Sequence, residues 1–528
     1  MSAVTEAEPH SDPARRSSPN RAARAGTALV ALLALVLAAW RADYVLSGVD
    51  PDTDAHAHYV IAREILANPT NLAVHWVWLP LFHYVEALAV GLGASMNAIR
   101  LANVALSALA PLGLALAAAA RTPASSDPGA WRDRGSIAIA CVVCALNPIA
   151  MQMGTTGQME PLFCLVVLAT AIALDRGRPE LAAVALTAGV LLRYEAWALP
   201  PALLVHLALA RVPAVRRRLP AWETNRSTEG RAAWLPIVVP ALAIVAWAGL
   251  RRATIDPRWF AFLGATREFA NGATGVQSSF SLGLAQTLTD AGFYLVKTPW
   301  RVMGWPLVLV PFGIVSSLRR DGLRWFALYG AVLSFLTLTW LLRSSLGLDR
   351  HFVAVVPFYA LLAGRGAVEL GGLAERLVVA VGGAHEAGRG RGQRAAALVV
   401  VTAGLLAAGT SAELLHRWMR DWRGASEGAW PDRKRMAATL ARLDPPKVFC
   451  DEATVEILSG LPRERFHRRA ITRERVLEVA TREPVLLAVW GTRLRKLELP
   501  ESVRVTPLDR TDGTTGDDGF VLLRAEPR

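Results

Sequence analysis

Long apolar blocks alternate along the chain with short polar segments rich in arginine. The blocks lie at about 27–46, 77–94, 99–120, 136–150, 161–174, 180–196, 197–210, 232–250, 301–318, 325–342, 352–370 and 395–411. A bilayer core about 30 Å thick takes about 20 apolar residues as a helix, and most of these runs approach that length. The pattern predicts an all-α polytopic membrane domain over 27–411. Beyond it the pattern changes. Short β-type runs at 447–450, 485–490, 502–506 and 519–524 are interleaved with helical stretches at 431–443 and 452–459. Residues 412–528 therefore read as a small C-terminal α/β soluble domain, with a turn-rich loop at 511–518. At the other end, residues 1–26 are polar and rich in Arg, Ser and Pro and read as a disordered tail. The run that opens at Thr27 reads as an uncleaved signal anchor.

Composition agrees with a membrane class, with 53% hydrophobic and 19% charged residues among 528. The formal charge of +13 is mostly arginine. Because the arginines cluster between apolar blocks, the charge reads as membrane topology and not as a nucleic-acid footprint. Arg15, Arg16, Arg21 and Arg24 place the N-terminal tail in the cytoplasm. If all twelve blocks crossed, the loop 211–231, with Arg211, Arg216, Arg217, Arg218, Arg226 and Arg231, would lie outside. Placing 77–94 on the outer face removes the conflict, and its internal His83 and Glu86 suit that position. The expectation is about eleven transmembrane helices, a cytoplasmic N-terminus, a first extracytoplasmic loop at 47–98 and an extracytoplasmic C-terminal domain. Abundant Ala and Arg with scarce Lys point to a GC-rich bacterial genome, hence a bacterial plasma membrane. The CVVC at Cys141–Cys144 has metal or redox spacing, but inside an apolar block it reads as small buried side chains.

The polar residues with chemical potential collect in the outer segments. Asp52 and Asp54 straddle the start of a helix, with Asp50 just before them. Either one suits a helix N-cap. Either also suits a general base at the membrane surface, or a ligand for a divalent cation. His56 and His58 diverge on a helix and make no ready zinc pair. Glu160, ahead of Pro161, reads as a helix cap or as a ligand for an acceptor or metal. Arg193 and Glu195 lie between two close blocks and can pair with each other. Arg350, at the outer end of a block, reads as a snorkelling residue or a phosphate ligand, with Arg343 and His351 as helpers. Trp76, Trp78, Trp259, Trp300 and Trp305 fall near outer interfaces and suit an aromatic belt. An amphipathic stretch near 284–298 reads as an interfacial helix or a cover for the site.

Several stretches together resemble the C-superfamily glycosyltransferases, chiefly the protein-mannosyltransferase and aminoarabinose-transferase branch. They are the Asp52/Asp54 pair in the first outer loop, Trp78-x-Pro80-Leu81-x-x-Tyr84, and the Ile99-Arg-Leu-Ala-Asn103 span start. Asn147-Pro148 leading to Gly157-Gln-Met-Glu160-Pro-Leu, then Leu192-Arg-Tyr-Glu195 and Asp349-Arg-His351, complete the set over about 27–411. The expected His-Pro-Pro element is absent. The resemblance implies an inverting transfer from a polyprenyl-phosphate sugar, with Asp54 or Asp52 as base. It implies phosphate contacts from Arg350, Arg193 and His351, and acceptor or metal roles for Glu160, His58 and Glu195. It also implies a lipid-linked donor as partner, and leaves the acceptor unnamed. A transporter or flippase would call for paired inverted repeats and midplane charges, which the sequence lacks; a non-catalytic envelope scaffold would have much the same sequence. No Walker A loop, Rossmann fingerprint or HExxH motif is present.

Overall fold

The protein, analysed as a computed structural model, is described for residues 18–48, 52–119, 130–216, 231–274, 278–320, 322–382, 386–467, 471, 473–491, 494, 497–511 and 519–528. Arg15, Arg16, Asp50, Arg217, Arg218, Arg226 and most of the 511–518 loop lie outside these residues. The membrane part begins with α1 (Ser18–Leu46), α2 (Thr53–Ala67), α3 (Pro80–Gly91), α4 (Met96–Ala119), α5 (Ala130–Ala145) and α6 (Pro148–Met153). It continues with α7 (Glu160–Asp175), α8 (Pro179–Leu192), α9 (Leu199–Arg211) and α10 (Leu235–Thr254). The last four are α11 (Pro306–Arg320), α12 (Gly322–Leu341), α13 (Val356–Gly382) and α14 (Glu386–Leu443). All twelve apolar blocks are helical, and among the described residues six helices are individually long and apolar enough to cross a bilayer. The shorter ones start at prolines, with Pro161, Pro179 and Pro200 in their first turns, where a missing N–H costs nothing. This is an integral membrane fold.

The bundle is organised around α13. Some 83% of the apolar stretch that contains it is buried, against 22% for the stretch containing α10. Small residues allow this. A Cβ on Gly313 of α11 would stand 1.9 Å from the Leu362 carbonyl oxygen, and one on Gly364 of α13 would stand 2.1 Å from that of Ser136. Such contact between backbones is how helices associate where no hydrophobic effect separates them from lipid. Two boundaries differ from expectation. Helix α1 begins at Ser18, so residues 18–26 extend the helix: Pro19 suits its first turn, and Ala and Arg follow. Helix α14 runs unbroken past residue 412 and carries the chain out to the C-terminal domain.

That domain contains β1 (Val448–Cys450), α15 (Ala453–Ser459), α16 (Arg473–Ala480), β2 (Val485–Trp490), β3 (Val503–Arg510) and β4 (Phe520–Pro527). The sheet order is β1-β2-β4-β3, with β1 and β2 parallel and the other pairs antiparallel. Leu487 faces Phe449 on one side and Leu523 on the other. Alternation sorts the two faces. Phe449, Leu487 and Leu523 pack with Val476 and Ala480 of α16. Val448, Ala488 and Leu522 pack with Met436 and Leu440 of α14 and Val455 of α15. The strands stand where the sequence pattern put them.

Candidate active site

Four connections at one end of the bundle meet in a single ionic network. Asp52 caps α2: its Oδ1 accepts from the Asp54 N–H at 3.0 Å. Its Oδ2 accepts from Arg350 Nη1, also at 3.0 Å. Asp52 is therefore the N-cap through one oxygen and an ion-pair partner of Arg350 through the other. Asp54, in the first helical turn, accepts from Arg350 Nη2. Arg350 lies in the 3-10 turn Asp349–Val355. The turn is anchored through Asp349, which accepts from Thr298 at 2.8 Å and pairs with Arg301 at 2.6 Å.

Arg350 Nε lies 3.7 Å from Glu160 Oε1. The same oxygen accepts from Arg193 Nη1 at 2.6 Å. Arg193 ends α8 and donates through Nη2 and Nε to Glu195 at 2.7 and 3.1 Å. The expected Arg193–Glu195 pair thus forms, but Glu160 joins it and links it to the first-loop acids. Arg343 is not part of the network. It pairs with Asp290 at 2.6 Å and stacks on Trp340. The stretch near 284–298 is helical and packs on the turn beside the site, Tyr294 donating to the Leu348 carbonyl at 3.1 Å.

The segment that carries Gln158 and Glu160 is fixed from behind. Asn103 Nδ2 donates to the carbonyls of Thr156 and Gln158 at 2.8 and 2.6 Å, and Arg100 Nε donates to that of Thr155 at 2.8 Å. The connection bearing Asp52 and the one bearing Glu160 share Arg350, so both lie at the same end of the bundle.

A cavity of about 90 Å³ opens on the network, its wall including His58, Trp78, Gln158, Glu160, Arg193, Arg350 and His351. Several buried polar atoms of that wall have no hydrogen-bond partner: Glu160 Oε2, Gln158 Nε2, Arg350 Nε and His351 Nδ1. Unpaired buried polar atoms are costly, and in a cavity wall they mark places for a polar ligand. The carboxylates differ in access. Asp54 is 40% exposed, against 11% for Asp52, 3% for Glu160 and 7% for Glu195. Their protonation also differs. Burial raises the Asp52 carboxyl above its usual value despite Arg350. At Asp54 burial acts in the same direction, but the charge and hydrogen bond of Arg350 outweigh it and hold the carboxyl low. Among the described residues no group of three or more His, Cys, Asp or Glu is arranged to hold a metal ion. The Arg350 contacts already occupy the first-loop acids.

Of the expected site residues, Asp52, Asp54, Glu160, Arg193, Glu195 and Arg350 form the network, and His58 and His351 line the cavity. Trp78 lines it too, while Trp76, Trp259, Trp300 and Trp305 are largely exposed, as an aromatic belt requires. Sequence reasoning passed over Gln158, and it passed over His75 and His83, which pack behind His58. A signal was available: four of the ten histidines fall within residues 56–83.

No protein-family model matches the chain. No curated protein matches it either. Among solved structures it is similar to ArnT from Cupriavidus metallidurans in the apo state, with 15% identity and a TM-score of 0.55 over 95% of this chain and 98% of that one. An oligosaccharyltransferase from Archaeoglobus fulgidus, tethered with an acceptor peptide, is similar at 14% identity and a TM-score of 0.48, over 83% of this chain and 63% of that one. The chain thus shares the fold of ArnT, a polytopic membrane domain followed by a small C-terminal domain.

Proposed function

We propose that this protein is a membrane glycosyltransferase. It moves a sugar from a polyprenyl-phosphate donor to an extracytoplasmic acceptor, inverting the anomeric carbon, with Asp54 as general base. The N-terminus lies in the cytoplasm and the site faces outward across a bacterial plasma membrane. One observation carries the reading. Asp54 is the most open carboxylate of the network, and the arginine that holds it also borders the cavity. The shared fold with ArnT supports the same reading.

The charge of the network suggests how the donor enters. Two arginines face four carboxylates, so an anionic phosphate meets a surplus of negative charge. Asp52 is fixed as the α2 cap, whereas Asp54 is the more exposed partner. The donor phosphate displaces Asp54 from Arg350 Nη2 and takes the guanidinium fork, a geometry that suits it. Release from Arg350 makes Asp54 more basic at the moment a base is needed. The acceptor nucleophile then attacks the anomeric carbon. The carbon–oxygen bond to phosphate breaks with its electron pair on the phosphate, and the acceptor proton passes to Asp54.

The test is transfer from a labelled polyprenyl-phosphate sugar by the full-length protein in liposomes. Asp54→Asn is expected to lower turnover by about 10²–10⁴-fold, the usual contribution of a general base. Asp52→Asn is expected to cost less, because Asn still caps the helix. Full activity in both variants would sink the mechanism.

A further inference from the structure

We propose that His58, His83 and His75 form a proton wire that empties the general base of the cavity and returns a proton to the departing phosphate. The proposal rests on the function proposed above. Two contacts define the wire. His58, in the cavity wall, has its Nδ1 2.8 Å from His83 Nε2. His83 has its Nδ1 2.8 Å from His75 Nδ1. All three rings are buried. At the far end His75 Nε2 has no partner, and its ring lies against Tyr84 and Trp247. His75 itself is fully buried, while the next residue in the chain, Trp76, is 48% exposed. At the near end Gln158 lines the cavity beside His58, and Asp54 stands one turn away on the same face of α2. Helix geometry puts such Cβ atoms about 5–6 Å apart, room for one bridging water.

The chemistry of imidazole gives the chain a direction. A neutral ring has one N–H and one lone pair. Three neutral rings joined by N–H···N bonds must therefore all point one way or all point the other. The nitrogens do not converge on one point, so the cluster is a relay and not a chelate. Burial also explains why one histidine would not suffice. It pushes His58 down to about 3, with Arg350 and Arg193 acting in the same direction and Asp54 against them. His75 falls to about 4 through burial and Arg251, and His83 falls well below the ordinary value, burial being reinforced by its two neighbours. None of these rings holds a second proton at neutral pH. A chain lets His58 accept a proton on Nε2 while giving up another from Nδ1.

The outward stroke runs as follows. Protonated Asp54 gives its proton to His58 Nε2. His58 passes its Nδ1 proton to His83 Nε2, His83 passes its Nδ1 proton to His75 Nδ1, and His75 releases its Nε2 proton to water at the rim. Every ring is now the opposite tautomer. On the return stroke His75 takes up a proton at Nε2, the chain shifts back, and His58 delivers its Nε2 proton to the phosphate left by the donor. Over both strokes the acceptor loses one proton and the phosphate gains one, so the cycle closes without an imidazolium.

His83→Phe keeps the packing and removes both ring nitrogens; His75→Phe cuts only the outer end. Both are compared with wild type in full-length protein reconstituted in liposomes. The expected result is a tenfold or greater fall in kcat with KM and thermal midpoint nearly unchanged, and a larger solvent deuterium isotope effect on kcat. Wild-type kcat in both variants would overturn the wire. So would a fall in kcat with an unchanged isotope effect and a matching loss of thermal midpoint, which is what a purely structural clasp predicts. Active wire variants beside an inactive Asp54→Asn would reject the wire alone, whereas an active Asp54→Asn would reject the function beneath it. A readout independent of activity is the ¹⁵N spectrum of histidine-labelled protein in bilayers. Three neutral rings with couplings across N–H···N bonds are expected at pH 7, and a charged imidazolium among them would refute the model.

Discussion

Two arginines tie helix ends together at one end of the bundle, and they are held differently. Arg193 is enclosed: it donates to Glu160 and Glu195, both nearly sealed from solvent. Arg350 has the same kind of partners, but one of them, Asp54, is 40% exposed, and Arg350 itself borders the cavity. A buried charge is tolerated only when paired and hydrogen-bonded. Where the pairing is complete, as at Arg193, the result is a strut between α7, α8 and the turn before α9. Where one partner can leave, as at Arg350, the same chemistry gives a site that can exchange a carboxylate for a ligand. The two hubs share Glu160, so the strut also sets the position of the reactive pair.

Removing each arginine should separate the roles. Arg350→Ala should abolish transfer, by about 10³-fold or more, while the protein still folds, because Asp54 keeps access to water; turnover in liposomes and a thermal melt of the same preparation check both halves. Arg193→Ala should act first on stability. It leaves Glu160 and Glu195 buried without their cation, a loss of about 3–5 kcal/mol for a broken buried pair. A melt in detergent measures it, and an unchanged midpoint would mean that Arg193 is no strut.

The pH profile sharpens the contrast. In the free protein Arg350 holds the Asp54 carboxyl low, against the effect of burial. A depressed carboxylate stays ionised above the ordinary value of about 3.9 and is lost as pH falls through its own lower value. The kcat/KM of the wild type, which reports the free protein, should therefore be flat down to about pH 4 in its Asp54 limb. The limb in kcat should lie at higher pH, because the bound phosphate has taken Arg350 away. Arg350→Ala leaves burial unopposed, so its residual activity should show the limb shifted upward in kcat/KM as well. Coincident limbs in both parameters would argue against displacement of Asp54 by the donor.

The C-terminal domain was the easier half to read from sequence. Its strands alternate or run apolar between turn residues, and each sits at its expected place. The membrane helices were legible for the same reason, since twelve apolar blocks became twelve helices. The site was legible only in its parts. Asp52, Glu160, Arg193 and Arg350 each stand at a helix end, where a capping or snorkelling role explains the residue locally. Local pattern says nothing about a contact between residues 298 positions apart. The histidine chain was less visible still. His75 sits in a short 3-10 turn and His83 in a helix first judged by its apolar length, and neither period brings them together. Topology supplied what pattern lacked, because arginine placement put all these connections at one end of the bundle.

The smallest effect expected lies where the two readable halves meet. Arg463, in the turn after α15, donates through Nε and Nη2 to both oxygens of Glu64, near the end of α2. Arg63 pairs with Glu456 of α15 at 3.8 Å beside it. The far end of the helix that begins with Asp52 and Asp54 is thus fastened to the soluble domain. The pair is partly exposed, so its contribution to stability is about 1 kcal/mol. Its effect on catalysis should be larger than its effect on stability, because a rigid helix passes a tilt at one end to the other and reacting groups tolerate little displacement. Arg463→Ala should lower kcat several-fold with little change in the melt. The exchanged pair, Glu64→Arg with Arg463→Glu, should recover most of that loss by restoring the contact with its charges reversed. Failure of the exchange to recover kcat, with both proteins folded, would show that α2 is positioned by the membrane domain alone.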